Sequence, residues 1–96
     1  MIKIVAKNLV KDGKLEELKA VAAELVAKSQ AEEGNVYYTL NVSTKNPNLI
    51  SFIECWKDQA AIDFHNATEH FTRIVPQMLA LCEEAYPVEF YEEVEF

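Results

Sequence analysis

Alternating hydrophobic and polar positions at the start of the chain predict a first β-strand from Ile2 to Leu9. After this strand, Asp12 is a suitable N-cap, because its carboxylate can accept hydrogen bonds from the first amides of a helix. Apolar residues then recur at helical spacing from Leu15 onward, with charged residues between them. We expect this helix to end at Gly34, since glycine readily adopts the left-handed conformation that closes a helix.

Two further alternating segments predict a β-hairpin, one from Asn35 to Ser43 and the other from Leu49 to Lys57. The turn residues Thr44 to Asn48 separate them. Both faces of these strands carry apolar residues, which indicates a sheet that is covered on both sides. A small domain seldom exposes such a patch to water, so we expect two copies to pack face to face as a homodimer.

The C-terminal half predicts two helices before the last strand. Asp58 can cap a short helix that ends at His65, and Thr68 can cap a longer one whose apolar positions continue to Cys82. Pro76 lies within the second pattern, and it is expected either to kink that helix or to mark a restart near its first turn.

A final strand is predicted from Val88 to Phe96. The element order is then β-α-β-β-α-β, the split βαβ arrangement. The predicted fold class is therefore α+β, of ferredoxin-like topology, with a four-stranded antiparallel sheet. Residues 1–96 form one domain.

Composition narrows the function classes. The net charge is −7 and no cluster of Lys and Arg occurs, so no nucleic-acid partner is expected. No stretch approaches the roughly 20 apolar residues of a membrane span, so no membrane partner is expected either. The chain enters a strand directly, without signal-peptide architecture, which favours the cytoplasm. Cys55 and Cys82 lie in apolar contexts and are predicted to be free, buried thiols.

Chemistry-bearing residues are concentrated in two segments, 54–58 and 64–71. A glycine-rich phosphate loop is excluded, because the chain has only two glycines. No Ser-His-Asp or Cys-His set occurs at a recognisable spacing. No third ligand accompanies His65 and His70, so no metal site is expected.

Four sequence features are each weak alone but are specific through their joint order and spacing. They are Glu32-Glu33-Gly34-Asn35, Tyr38, Glu54-x-Trp56-x-Asp58, and Phe64-His65-x-x-Thr68-x-His70-Phe71. In these features, and over essentially its whole length, the chain resembles the antibiotic biosynthesis monooxygenase superfamily of small dimeric α+β barrels. The resemblance implies a cofactor-independent monooxygenase that oxidises a quinol or another small electron-rich aromatic with O₂. It calls for no cofactor and no metal.

The resemblance also suggests roles for individual side chains. His65 is the candidate catalytic base, because its near-neutral pKa suits it to accept a phenolic proton. The candidate substrate-binding residues are Trp56, Tyr38, Asn8, His70 and Phe71. Each also has a purely structural interpretation, such as a core position for Trp56 or a backbone hydrogen bond for His65. Glu54 is expected to be either a buried acid with a partner across the dimer or an exposed edge residue.

More specific branches of the superfamily fit less well. The haem-degrading branch would be consistent with Asn8, but His65 and Val75 stand where its Trp and its iron-binding His would align. The aromatic-polyketide branch matches Trp56, whereas Phe52 occupies its Asn position. Two other functions remain open: an isomerase of the autoinducer-processing type, and a non-catalytic dimeric module that binds metabolites in a stress response.

Overall fold

The computed structural model describes residues 1–96 as five strands and three helices. In chain order, these are β1 (Ile2–Val10), α1 (Leu15–Gln30), β2 (Asn35–Val42), β3 (Leu49–Trp56), α2 (Gln59–Asn66), α3 (Glu69–Leu79), β4 (Cys82–Ala85) and β5 (Glu89–Glu92). All strand pairs are antiparallel, in the spatial order β2-β3-β1-β4, and β5 also pairs with β1. The predicted α+β ferredoxin-like class is confirmed. No helix in the structure has the length and apolarity needed to cross a membrane.

The last strand differs from the prediction, because two short strands take its place along β1. β4 pairs with Asn8 to Val10, and β5 pairs with Ile2 to Val5. Pro87 lies between them and has no N–H to donate to a ladder, which accounts for the break. The prediction that α3 continues to Cys82 was wrong, because Cys82 pairs with Val10 in the sheet.

Two of the three helices begin at the N-cap residue that the sequence predicts. Asp58 accepts a hydrogen bond from the backbone N–H of Ala61 at 2.9 Å, and Thr68 likewise caps α3. At α1 the prediction was wrong, because Lys14 precedes the helix and no side chain caps it. The turn before α1 depends on Gly13 instead, whose φ of +76° favours glycine. α3 continues through Pro76 to Leu79.

Gly34 does not close α1 as predicted. The helix already ends at Gln30, and Gly13 is the one residue with a positive φ. Gly34 is instead required by close packing, because a Cβ at this position would lie 2.4 Å from the Cβ of Ala61 on α2. The loop between α1 and β2 can therefore press directly against α2.

One face of the sheet packs against the helices and the other is open. The helix-facing side carries Ile4, Tyr38, Phe52 and Trp56, which are buried in one core with residues of all three helices. On the open face, Tyr37 pairs with Cys55, and Thr39 pairs with Ile53. Tyr37 and Ile53 remain exposed there, at 37% and 38%, so the open face is partly apolar.

Candidate active site

A cavity of about 340 Å³ lies between the sheet and the helices. Of its 21 lining residues 16 are hydrophobic, Tyr38 among them, and the other five are Lys7, Asn8, Glu54, His65 and Asn66. A largely apolar cavity with a small number of polar groups is typical of a small-molecule site, and this volume is at the lower end of the usual range. The cavity therefore suits a ligand of one or two rings.

His65 lies in the cavity wall near the end of α2, and its side chain is only 2% exposed. Its imidazole packs against the indole of Trp56, with 4.4 Å between the ring centroids. The ring of Phe71 meets the imidazole edge-on at 5.0 Å. Neighbours on two sides thus restrict the orientation of the imidazole.

Glu32 determines which nitrogen of His65 carries the hydrogen. Its Oε2 lies 2.7 Å from Nδ1 of His65, and the Glu32 side chain is 5% exposed. A carboxylate only accepts hydrogen bonds, so Nδ1 must be the donor. In the neutral ring Nε2 is then left as the proton acceptor. Nε2 has no hydrogen-bond partner within the chain and is not among the enclosed polar atoms that lack one, so a molecule in the cavity that His65 lines can reach it.

Two opposing effects act on the pKa of His65. Burial is the larger effect and lowers the pKa below its ordinary value, because it disfavours the charged ring. The hydrogen bond and the charge of Glu32 raise the pKa and oppose burial, whereas His70 lowers it further. The net result favours a neutral imidazole that is ready to accept a proton at neutral pH.

His70 contacts the same oxygen of Glu32, with 2.8 Å between Nε2 and Oε2. The ligand atoms of Glu32, His65 and His70 lie within 4.8 Å of one another, so these three residues could hold a metal ion. Sequence inspection found no third ligand, and Glu32 is the group it missed. The observed contacts of 2.7 and 2.8 Å are hydrogen-bond distances, however. Ligands that share a tetrahedral zinc stand about 3.3 Å apart, given the usual bond lengths.

Thr68 explains the spacing of the His65-x-x-Thr68-x-His70-Phe71 segment. Its hydroxyl donates to the backbone oxygen of His65 at 2.7 Å and accepts from the backbone N–H of Phe71 at 3.3 Å. One side chain therefore joins the end of α2 to the start of α3. This junction holds His65 and His70 on the same side, within reach of Glu32.

Trp56 is fully buried and does not line the cavity. Its Nε1 donates to Oε1 of Glu54 at 2.9 Å, and its ring supports the imidazole of His65 from behind. His70 is also absent from the cavity wall, whereas Asn8, Tyr38 and Phe71 contribute to it. The structure thus brings four of the six predicted site residues to the cavity and places the other two behind His65.

Glu54 is the one acidic residue in the cavity wall, and it is only 6% exposed. It is a buried acid, so the exposed edge position is wrong, and its partner within the chain is Trp56. Burial raises the pKa of Glu54 to about 7, with a smaller contribution from the charge of Glu32, while the bond from Trp56 opposes the shift. Burial, followed by the charge of Glu54, also raises the pKa of the neighbouring Tyr38.

The sequence profile of the family described as "Antibiotic biosynthesis monooxygenase" matches residues 1–77. The chain belongs to this family. The resemblance inferred from the sequence is thereby confirmed, and at the family level it supports an enzyme of the monooxygenase type.

Individual relatives agree with this assignment. The Bacillus subtilis (strain 168) protein named "Putative monooxygenase YcnE" is 44% identical over 75 residues, which are 78% of this chain and 79% of that protein. A crystal structure described as an antibiotic biosynthesis monooxygenase has a TM-score of 0.93 at 37% identity and covers 99% of this chain and 100% of its own. A conserved protein from Methanosarcina mazei Go1 has a TM-score of 0.92 at 30% identity, covering 97% and 92%.

Proposed function

We propose that this family member is a cofactor-independent monooxygenase that oxidises a quinol, or another small electron-rich aromatic, with O₂. The observation that carries the proposal is the pairing of His65 with Glu32 at the wall of a mainly apolar cavity. That pairing leaves Nε2 of His65 free to accept a proton from a phenolic hydroxyl.

Proton removal is the step to which the protein contributes most directly. The substrate hydroxyl donates its proton to Nε2 of His65, and the resulting imidazolium is stabilised by Glu32 at 2.7 Å from Nδ1. The phenolate that remains is much richer in electrons than the phenol. It can therefore pass an electron to O₂, which is the difficult step of the reaction.

The substrate itself supplies all the electrons. A para-quinol with a free ring position reacts with O₂ to give a hydroxyquinone and water. One oxygen atom replaces a ring hydrogen as a hydroxyl group, and the other leaves as water with two hydrogens. The four electrons lost by the quinol reduce both oxygen atoms, so no further reductant is required.

The cavity wall assists by excluding water. Its apolar residues include Ile4, Phe52, Phe71 and Val75, which come from the sheet and from α3. Apolar walls around the bound substrate reduce its contact with water and hold the substrate radical and the reduced oxygen species together until the carbon–oxygen bond forms.

We further propose that two chains associate through the open face of the sheet. Tyr37, Ile53 and Tyr91 are exposed on that face, at 37%, 38% and 48%, and no helix covers them. A face of this kind on a 96-residue chain gains most by packing against a second copy of itself. The cavities lie on the opposite side of each sheet and would remain separate.

A proton-transfer isomerase is the second candidate. It is favoured by the presence of two acid–base groups, Glu54 and His65, in one cavity wall. One group could remove a proton from a carbon next to a carbonyl while the other returned a proton elsewhere. Such an enzyme would turn over its substrate equally well without oxygen.

Oxygen uptake by the purified, metal-free protein with a panel of para-quinols tests the proposal. We expect consumption of one O₂ per quinol, together with the appearance of label from ¹⁸O₂ in the hydroxyquinone. Turnover that continues under nitrogen would favour the isomerase. Binding of quinols without uptake of oxygen would favour a non-catalytic module.

A further inference from the structure

Glu54 is not explained by packing alone. Its carboxyl group is buried in a mainly apolar cavity wall, where an ionisable group destabilises the fold unless it has partners. The Nε1–H of Trp56 needs only one acceptor oxygen, which Oε1 of Glu54 provides at 2.9 Å. The amide oxygen of a glutamine would satisfy the indole equally well, without a buried charge.

The second oxygen of Glu54 is available to a ligand. Oε2 forms no hydrogen bond within the chain, and it is not among the enclosed polar atoms that lack a partner. Glu54 itself lines the cavity. Oε2 is therefore an acceptor that a molecule in the cavity can reach.

Glu54 and His65 both contact the same indole. Glu54 meets Nε1 of Trp56 at 2.9 Å, and the imidazole of His65 lies 4.4 Å from the indole, centroid to centroid. The indole thus holds both acceptors at the same part of the cavity wall. A small aromatic ring that carries two hydroxyl groups could donate one hydrogen bond to each.

We propose that Glu54 accepts a hydrogen bond from a second substrate hydroxyl, so that the site selects dihydroxylated rings over monohydroxylated ones. The inference rests on the proposed function in that His65 receives the first hydroxyl. It narrows the substrate class from electron-rich aromatics in general to rings with two hydroxyl donors. Glu54 is the specificity-determining residue in this arrangement.

Equilibrium binding under nitrogen tests this inference apart from turnover. The probes are hydroquinone and its monomethyl ether, 4-methoxyphenol, which differ in one hydroxyl donor. We expect the wild-type protein to bind hydroquinone roughly 10- to 100-fold more tightly, as is usual for a hydrogen bond to a charged or strongly polar group. In Glu54→Gln, the preference should fall to about twofold or less, while affinity for the ether stays nearly constant.

Glu16→Gln is the matched control, because Glu16 is an exposed residue of α1 that lies outside the cavity wall. It makes the same chemical change and should keep the full preference. Equal binding of both probes by the wild type would overturn the inference, and so would an undiminished preference in folded Glu54→Gln. If the preference holds but no quinol supports oxygen uptake, the proposed oxidation fails while the assignment of Glu54 stands.

Discussion

Oε2 of Glu32 lies 2.7 Å from Nδ1 of His65, although the two residues are 33 positions apart in the chain. Two local features bring them together. Gly34 lets the loop that carries Glu32 approach α2, and Thr68 joins α2 to α3 through two hydrogen bonds. The result is a histidine of defined tautomer whose free nitrogen a molecule in the cavity can reach.

Glu32→Gln should lower turnover and shift its pH dependence. Glu32 raises the pKa of His65 against the larger effect of burial, so removing its charge lets the pKa fall further. The base is active when neutral, and the acidic limb of the pH profile of kcat/KM should therefore move to lower pH. We expect turnover to fall more than about tenfold, yet less than on removal of the base itself. A limb that stays in place or moves to higher pH would show that Glu32 does not act on the base.

Gly34→Ala should destabilise the fold by about 1–3 kcal/mol, because the new methyl group meets Ala61. Gly13→Ala provides a contrast. Its new Cβ would meet no other atom, but an alanine at a φ of +76° should destabilise the fold by about 1–2 kcal/mol. Ala61→Gly alone costs about 1 kcal/mol in helix propensity. Added to Gly34→Ala it should destabilise by less than this amount or stabilise, because it removes the clash, whereas added to Gly13→Ala it should cost the full amount. Urea unfolding measures each of these variants. The same cost of Ala61→Gly in both backgrounds would mean that close packing is not the reason for Gly34.

Glu54→Gln should stabilise the protein more at high pH than at low pH. The pKa of Glu54 is raised to about 7 in the folded state, so the folded chain binds more protons than the unfolded chain between about pH 4.5 and 7. Stability therefore falls as the pH rises through this window. The stabilisation by Glu54→Gln should grow by about 2 kcal/mol between about pH 5.5 and pH 8, as one pKa unit is 1.36 kcal/mol. A difference that is independent of pH would contradict a raised pKa.

The dimer prediction can be tested with one pair of variants. Sedimentation equilibrium at micromolar concentration should give about twice the 10.9 kDa chain mass. Ile53→Lys places a charge on the open face and should shift the protein to monomer. Phe64→Lys makes a similar change on α2, where Phe64 is 66% exposed, and should leave the dimer intact. A wild-type monomer at this concentration would refute the proposed association.

The sequence predicted most of the elements because their signals are local. Asp58 and Thr68 each cap a helix through an amide three residues along, and such a pattern is visible in the chain. The split of the last strand was missed because pairing with β1 overrides the helical spacing that leads to Cys82. The pairing register of this segment therefore depends on contacts with β1, which the spacing of its own apolar residues does not reveal.

The candidate site was predicted only in part for the same reason. His65, Tyr38 and Phe71 were predicted from segments with recognisable features, and Asn8 from its alignment with the haem-degrading branch. All four line the cavity. The partnership of Glu32 with His65 could not be predicted, since it depends on the path of a loop. The acidic pair Glu32-Glu33 ahead of Gly34-Asn35 was the available signal. Its role becomes apparent only when Gly34 is seen to pack against α2.

Oxygen uptake by His65→Ala tests the central claim most directly. With a para-quinol that the wild-type protein oxidises, the folded, metal-free variant should be roughly 10²–10⁴-fold slower, which is the usual contribution of a general base. His65→Ala should still bind the quinol under nitrogen, so the loss should appear mainly in kcat. Unchanged oxygen uptake by folded His65→Ala would contradict the account, because the base that it assigns would then have no part in the reaction.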